Sequence, residues 1–89
     1  MNTSVSWTLV LAGPARRRPE RIGPRDRERI HAALREMAAD PFVGDVRYLR
    51  GQKDMLRRRV GDWRIFFRIV KEEKRLLVSV IEPRTSTTY

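Results

Sequence analysis

The chain has 89 residues, no cysteine and one histidine, and its 20 Lys and Arg against 11 Asp and Glu give a net charge of +9. This length allows one small domain, expected over residues 1–89, and excludes a multidomain enzyme or a doubly wound dinucleotide fold. Without cysteine there is no disulfide framework, Cys-ligated zinc or thiol catalysis, and a lone His31 argues against a metal site or a serine triad. We expect no cofactor and no metal, but a polyanionic partner.

The amino-terminal region predicts a strand followed by two helices. Residues 5–11 alternate between apolar and polar side chains, which is typical of a strand. Residues 15–22 form a predicted short helix that Pro19 interrupts. A longer helix begins at Pro24 and ends before Pro41. Its apolar stripe has helical spacing and contains Ile30, Ala33, Leu34, Met37 and Ala38.

The carboxyl-terminal half predicts three strands. Residues 42–54 are expected to form a loop whose Tyr48 and Leu49 pack onto the core. Residues 55–60 and 63–70 then form a β-hairpin around Gly61. Residues 76–81 are apolar on both faces, which indicates a central strand. The class is therefore α+β, with the order β-α-α-β-β-β.

No segment indicates export or membrane insertion. The apolar run at residues 5–12 is interrupted by Ser6 and Thr8, has no basic segment before it and is too short to span a bilayer. We therefore expect a cytoplasmic protein with no membrane partner.

The positive charge is unevenly distributed. Residues 25–40 carry four charges of each sign, as an ordinary solvated helix does, whereas residues 41–75 carry eleven cations and five carboxylates, a net +6. The steepest concentration is the run Arg57, Arg58 and Arg59. On a strand, Arg57 and Arg59 point to one face and Arg58 to the other, so at least one face is open to solvent or binds an anion. Charge that protects an edge strand is the alternative explanation.

The second strand of the hairpin separates core residues from candidate ligand contacts. Trp63 alternates with Ile65 and Phe67, which favours a core position, although its ring could also stack on a base. Phe66 shares a face with Arg64 and is the better candidate for base stacking. Glu82, at the end of the last strand, is expected to be a solvated carboxylate, with a role as a base as the alternative.

Five elements of the chain together resemble the RelE/ParE superfamily of bacterial toxins, and more closely its RelE branch. The residues of the run from Arg57 to Ile65 match an Arg-x-Arg-Val-Gly-Asp-aromatic-Arg-apolar signature, the most specific of the five. The other four are similar to the family's first strand and helix start, second helix, Leu-x-Gly element, and last strand with its Arg…Tyr tail; they are residues 7–15, 30–41, 48–51 and 81–89.

The resemblance implies two amino-terminal helices packed on a small antiparallel sheet. It also implies an endoribonuclease that cleaves mRNA in the ribosomal A site without metal. Family catalytic positions that match this sequence are Arg57, Arg59, Arg64, Arg84 and Tyr89. Arg64 and Arg84 would stabilise the pentavalent phosphate, and Tyr89 is a candidate proton acceptor. Further RNA contacts are expected at Arg50, Lys53, Arg58, Phe66, Arg68, Arg16, Arg17 and Arg18.

The same resemblance implies partners. These are an acidic, RelB-like cognate antitoxin that folds as it binds, and the ribosome with its 16S rRNA and mRNA. Operator DNA would be contacted only indirectly, through the antitoxin. Two other functions stay open at this point: a ParE-like inhibitor of DNA gyrase, and a catalytically inactive RNA-binding module.

Overall fold

The computed structural model describes residues 6–16, 22–52 and 54–83. Two α-helices, five strands and one short 3₁₀ helix follow one another along this part of the chain. In order they are β1 (Thr8–Leu11), α1 (Gly13–Arg16), α2 (Pro24–Ala39), β2 (Asp45–Tyr48), β3 (Met55–Val60), β4 (Trp63–Val70), the 3₁₀ helix Lys71–Glu73 and β5 (Arg75–Pro83). The predicted α+β class is confirmed.

The five strands form one mixed sheet in the order β1-β5-β4-β3-β2. All neighbouring pairs are antiparallel except β1 with β5, which are parallel. The prediction of a wholly antiparallel sheet is therefore wrong at this edge. The predicted hairpin is present, with Val60 opposite Trp63, and the apolar β5 is internal to the sheet as predicted.

One strand, β2, is absent from the predicted order. Only four residues long, it lies inside the segment predicted as a loop, and Val46 is its only aliphatic side chain. Such a run is too short to show a strand alternation, so only pairing with β3 defines it. The prediction that Tyr48 packs onto the core is also wrong, since 65% of this residue is exposed.

The core lies between α2 and one face of the sheet, here called the inner face. Three residues of the predicted stripe are buried, namely Ile30, Ala33 and Met37, while Leu34 packs against the cluster partly exposed. The sheet contributes its fully buried residues Leu56, Ile65, Phe67, Leu76 and Val78. Trp63 is buried as expected, and its indole N–H donates to the Asp26 carboxylate at 3.1 Å, which attaches the start of α2 to β4.

A β-bulge in β5 exchanges the two faces of that strand. Val78 pairs with Phe67 but Val80 pairs with Phe66, so Ser79 is one residue in excess. After Val78, the next side chain of β5 that points to the inner face is therefore Ile81 rather than Val80. The shift leaves Ile81 buried and brings Glu82 to the opposite face, here called the outer face.

Candidate phosphate-binding face

Four charged residues align across the outer face, one from each of four neighbouring strands. Asp45 pairs with Arg59, Arg59 with Arg64, and Arg64 with Glu82. We call this set the charged row. Directly paired side chains lie about 4.5–5.5 Å apart at Cβ. Two arginines therefore lie side by side at the centre of the sheet, with a carboxylate beyond each.

A second row, one step along the strands, combines cations with apolar groups. It consists of Arg47, Arg57, Phe66 and Val80, each opposite the next. The guanidinium carbon of Arg64 lies 5.7 Å from the centre of the Phe66 ring, within the range of a cation–π contact. The two rows together give a cationic surface with an aromatic ring beside it.

Each of two outer-face arginines is held by a carboxylate from the neighbouring strand. Arg57 Nη2 lies 3.4 Å from Asp45 Oδ1, and Arg64 Nη2 lies 3.3 Å from Glu82 Oε2. Both arginine side chains are only 20% exposed. Pairs of this kind reduce the freedom of long side chains, so the two guanidiniums are positioned before any ligand binds.

Arg58 does not join this face, and the expectation that it contacts RNA is not supported. Only 8% of the residue is exposed, on the inner face. Its guanidinium donates to Glu36 Oε1 at 2.7 Å and to the Val43 carbonyl at 3.1 Å. The alternation of the three arginines is as predicted, but the guanidinium on the inner face bonds to α2 and to the loop after it through its two terminal nitrogens. We therefore assign Arg58 a structural role.

The remaining predicted RNA contacts have separate positions. Arg68 is exposed on the outer face one row beyond Phe66, opposite Met55 and Leu77. Arg50 follows β2 in a turn, and Arg16 ends α1; both are exposed. The other predicted site residues lie outside the described residues: Arg17, Arg18, Lys53, Arg84 and Tyr89.

The sequence alone did not predict that two carboxylates, Asp45 and Glu82, lie next to the arginines of the charged row. Asp45 was not a candidate because the strand that carries it was not predicted. Glu82 was a candidate, but its contact with Arg64 depends on the bulge at Ser79, which no turn residue marks. In residues 6–16, 22–52 and 54–83, no three His, Asp or Glu side chains are grouped as a metal site requires.

A concave surface lies on the inner face, next to the loop that follows α2. Its volume is about 400 Å³, and it is lined by apolar and charged side chains, which are Phe42, Tyr48, Asp54, Leu56, Ile69, Lys71 and Glu72. It lies away from the charged row, because Leu56 and Ile69 belong to the core side of their strands. In the part of the chain that the structure describes, no helix has the length and apolar character needed to cross a membrane.

This fold is the fold of RelE toxins. The chain is similar to RelE in the archaeal RelE–RelB complex of Pyrococcus horikoshii (TM-score 0.79, 17% identity, 93% of this chain and 100% of that one). It is also similar to isolated Escherichia coli RelE (TM-score 0.74, 19% identity, 88% of this chain and 84% of that one). The RelBE2 toxin–antitoxin complex of Mycobacterium tuberculosis gives a TM-score of 0.66 and 25% identity, covering 90% and 100% of the two chains.

Family membership follows from the sequence itself. The family model described as the ParE toxin of type II toxin–antitoxin systems matches residues 10–85. The chain belongs to this family, and it is the toxin of a type II toxin–antitoxin system of the RelE/ParE superfamily. No curated protein matches the sequence.

Proposed function

We propose that this toxin is a ribosome-dependent endoribonuclease, an mRNA interferase that cleaves mRNA in the ribosomal A site without a metal. The observation that supports this best is the pairing of Arg59 with Arg64 at the centre of the outer face, with Arg57 one row away. Adjacent strands are about 4.7–4.9 Å apart, so two guanidiniums on them are within reach of one phosphate group.

Metal-free RNA cleavage has three chemical requirements. The 2′-hydroxyl loses a proton, the pentavalent phosphate is stabilised, and the leaving 5′-oxygen is neutralised. Guanidiniums meet the second requirement because they donate two hydrogen bonds each and carry a permanent charge. They do not meet the first, because arginine stays protonated in proteins. The cluster is therefore suited to binding and stabilising phosphate rather than to acid–base work.

The ribosome would supply what such a site lacks. Holding the 2′-oxygen in line with the scissile bond can lower the barrier by roughly 7–11 kcal/mol through orientation alone. We therefore expect very low activity on free RNA. By resemblance, Arg84 and Tyr89 complete the site: both follow the end of β5, the strand that carries Glu82 into the charged row.

The proposed protein partner is an acidic, RelB-like antitoxin. The Pyrococcus horikoshii and Mycobacterium tuberculosis relatives were solved as complexes with their antitoxins. Residues 41–75 of this chain carry a net +6, and the outer face presents Phe66 and Val80 beside the arginines. An acidic chain with some apolar residues complements such a surface, and it would fold as it binds.

Primer extension on ribosome-bound mRNA tests the proposal. The parent chain should produce discrete cuts at A-site codons of programmed ribosomes, and the Arg64→Ala variant should produce almost none. Arg35→Ala removes an exposed cation of α2, away from the outer face, and serves as the matched comparison, with cutting expected at the level of the parent. If the parent chain binds the ribosomes without cutting, the protein is a catalytically inactive RNA-binding module and the proposal is wrong.

Inhibition of DNA gyrase is the second candidate, and the match to the ParE toxin family favours it. This function requires binding and no outer-face chemistry. A supercoiling assay separates the two candidates. The endoribonuclease proposal predicts unchanged supercoiling at toxin concentrations that stop translation, whereas a gyrase inhibitor would stop supercoiling and leave translation extracts active.

A further inference from the structure

Glu82 reaches the outer face because of a specific backbone irregularity. Without the extra residue Ser79, the alternation from Val78 would turn Ile81 outward and Glu82 into the core. With it, Ile81 is buried and Glu82 lies opposite Arg64 in the charged row. Bulges that re-aim one side chain are frequent next to active sites.

The Glu82 carboxylate is accessible and lies beside cations. Its side chain is 38% exposed and its Oε2 lies 3.3 Å from Arg64 Nη2. The next charged residue along the charged row is a second cation, Arg59 on β3. Because the carboxylate is partly exposed on the face that carries these arginines, a hydroxyl of a bound substrate can reach it.

Glu82 also lies at a suitable distance from the phosphate-binding pair. A phosphate bound between Arg59 and Arg64 lies about one and a half strand spacings, roughly 7 Å, from the strand that carries Glu82, a gap that the long glutamate and arginine side chains can close. A base stacked on Phe66 would place its ribose between the second row and the charged row. A nucleotide held by Phe66 and Arg64 on β4 lies one strand from Glu82 and two strands from Asp45, which is at the other end of the row on edge strand β2.

We propose that Glu82 is the general base that deprotonates the attacking 2′-hydroxyl, an inference that rests on the proposed endoribonuclease function. The carboxylate takes the 2′-proton, and the 2′-oxygen forms a bond to phosphorus. The bond from phosphorus to the 5′-oxygen breaks, and its electron pair leaves with that oxygen, which takes a proton from water. The products are a 2′,3′-cyclic phosphate and a 5′-hydroxyl, and Glu82 returns its proton to the hydroxide formed.

Arg64 has two roles in this arrangement. Its contact with Glu82 holds the carboxylate on the outer face, and its pairing with Arg59 places it beside the proposed phosphate site. Phosphate and carboxylate therefore share one guanidinium, so the base and the electrophile are oriented by the same side chain. This arrangement requires an acceptor oxygen at position 82, which glutamine also supplies.

The test is single-turnover cleavage of mRNA on programmed ribosomes with saturating toxin between pH 6 and 8. Glu82→Gln keeps the acceptor for Arg64 but cannot take a proton, and its rate should fall at least about 100-fold. Glu28→Gln is the matched control, since it makes the same change at an exposed carboxylate of α2, away from the charged row. Its rate should stay within about fivefold of the parent.

The pH profile separates a base from a residue that only positions Arg64. The parent should be nearly independent of pH over this range, whereas the residual Glu82→Gln rate should rise about tenfold per pH unit as hydroxide replaces the carboxylate. Because this slope is a property of the folded fraction, partial misfolding does not obscure it. Tyr89→Phe should keep the flat profile of the parent.

Four results would overturn the inference. They are a Glu82→Gln rate within threefold of the parent, equal losses in Glu82→Gln and Glu28→Gln, a flat profile in Glu82→Gln, or a steep profile in Tyr89→Phe. In each of these the parent still cleaves, so the proposed function survives. If the parent does not cleave ribosome-bound mRNA, the proposed function fails, and the role of Glu82 fails with it.

Discussion

Arg58 on β3 donates to Glu36 on α2 across 2.7 Å, and the same guanidinium donates to the carbonyl of Val43. One buried cation therefore joins the sheet, the long helix and the loop that leads into β2. Glu36 itself is half exposed, so the water around it lowers the cost of the pair. The contact adds a polar link between these three elements beside the apolar core.

Arg58→Ala should lower the free energy of unfolding by about 2–3 kcal/mol, since it removes charge-assisted hydrogen bonds and the packing of the arginine stem. For a domain of this size that corresponds to a fall in Tm of roughly 8–20 °C. Thermal unfolding of proteins that also carry Arg64→Ala, which limits toxicity during expression, measures it. The control variant Arg35→Ala changes an exposed arginine of α2, next to Glu36, and it should change Tm by little. Equal shifts in both variants would contradict a structural role for Arg58.

Gly44 makes room for that guanidinium. Its φ is +85°, and a Cβ there would lie 2.7 Å from Arg58 Cζ. Gly44→Ala should therefore combine backbone strain with displacement of Arg58. Gly51 has φ +76° and nothing within 4 Å of its would-be Cβ, so Gly51→Ala isolates the strain alone. Chemical denaturation should show a loss of about 1 kcal/mol at Gly51 and a clearly larger one at Gly44.

If the two alanine variants unfold at the same denaturant concentration, the close approach of Arg58 to Gly44 has no energetic weight. The double variant Gly44→Ala with Arg58→Ala gives a further check. Once Arg58 is removed, the added cost at Gly44 should fall to that seen at Gly51, because only the strain remains.

The sequence was sufficient to predict the hairpin, since Gly61 lies in a short turn between two strand runs. It was also sufficient to place Arg57 and Arg59 on one face and Arg58 on the other, because strand alternation has a fixed period. The environment of Arg58 was not predictable in this way. A charge on the inner face is tolerated only because Glu36, 22 residues earlier, lies within hydrogen-bond distance.

The charged row shows the same limit. The two arginines at its centre, Arg59 and Arg64, are opposite each other because the turn sets the register of the hairpin. The two carboxylates at its ends depend on pairing between distant parts of the chain. Asp45 lies on an edge strand too short to predict, and Glu82 reaches the row only through the bulge at Ser79. Local patterns therefore identified the cations of the candidate site, while tertiary register determined which carboxylates join them.

Arg64 should be the most sensitive outer-face cation, because it contacts Glu82 and Phe66 and pairs with Arg59. Arg64→Ala should lower single-turnover cleavage on ribosomes by about 10²–10³-fold, as loss of one transition-state donor does. Arg64→Lys should recover only part of this, because an ammonium keeps the charge but not the bidentate geometry. A lysine variant as active as the parent would show that charge alone is needed.

Salt dependence should report the number of phosphate contacts. If Arg57, Arg59 and Arg64 each contact one phosphate of single-stranded RNA, log K falls against log salt with a slope near −2. Arg57→Ala should make this slope shallower by about 0.7, since one contact is lost. Filter binding of an unstructured RNA between 50 and 300 mM salt measures it. Arg58→Ala should leave the slope unchanged, because the Arg58 guanidinium lies on the inner face. A shallower slope in Arg58→Ala would show that Arg58 contacts RNA after all.

Phe66 should bind one base by stacking, because its ring lies on the outer face in contact with Arg64. Phe66→Leu keeps an apolar side chain but removes the aromatic face, and it should weaken RNA binding by about 1–3 kcal/mol, a rise in Kd of roughly 5–150-fold. Phe66→Tyr retains the ring and should bind like the parent. RNA with one abasic position completes a double-mutant cycle: the parent should lose affinity at the stacked position, and Phe66→Leu should lose no more. Additive losses would place the stacked base somewhere other than on Phe66.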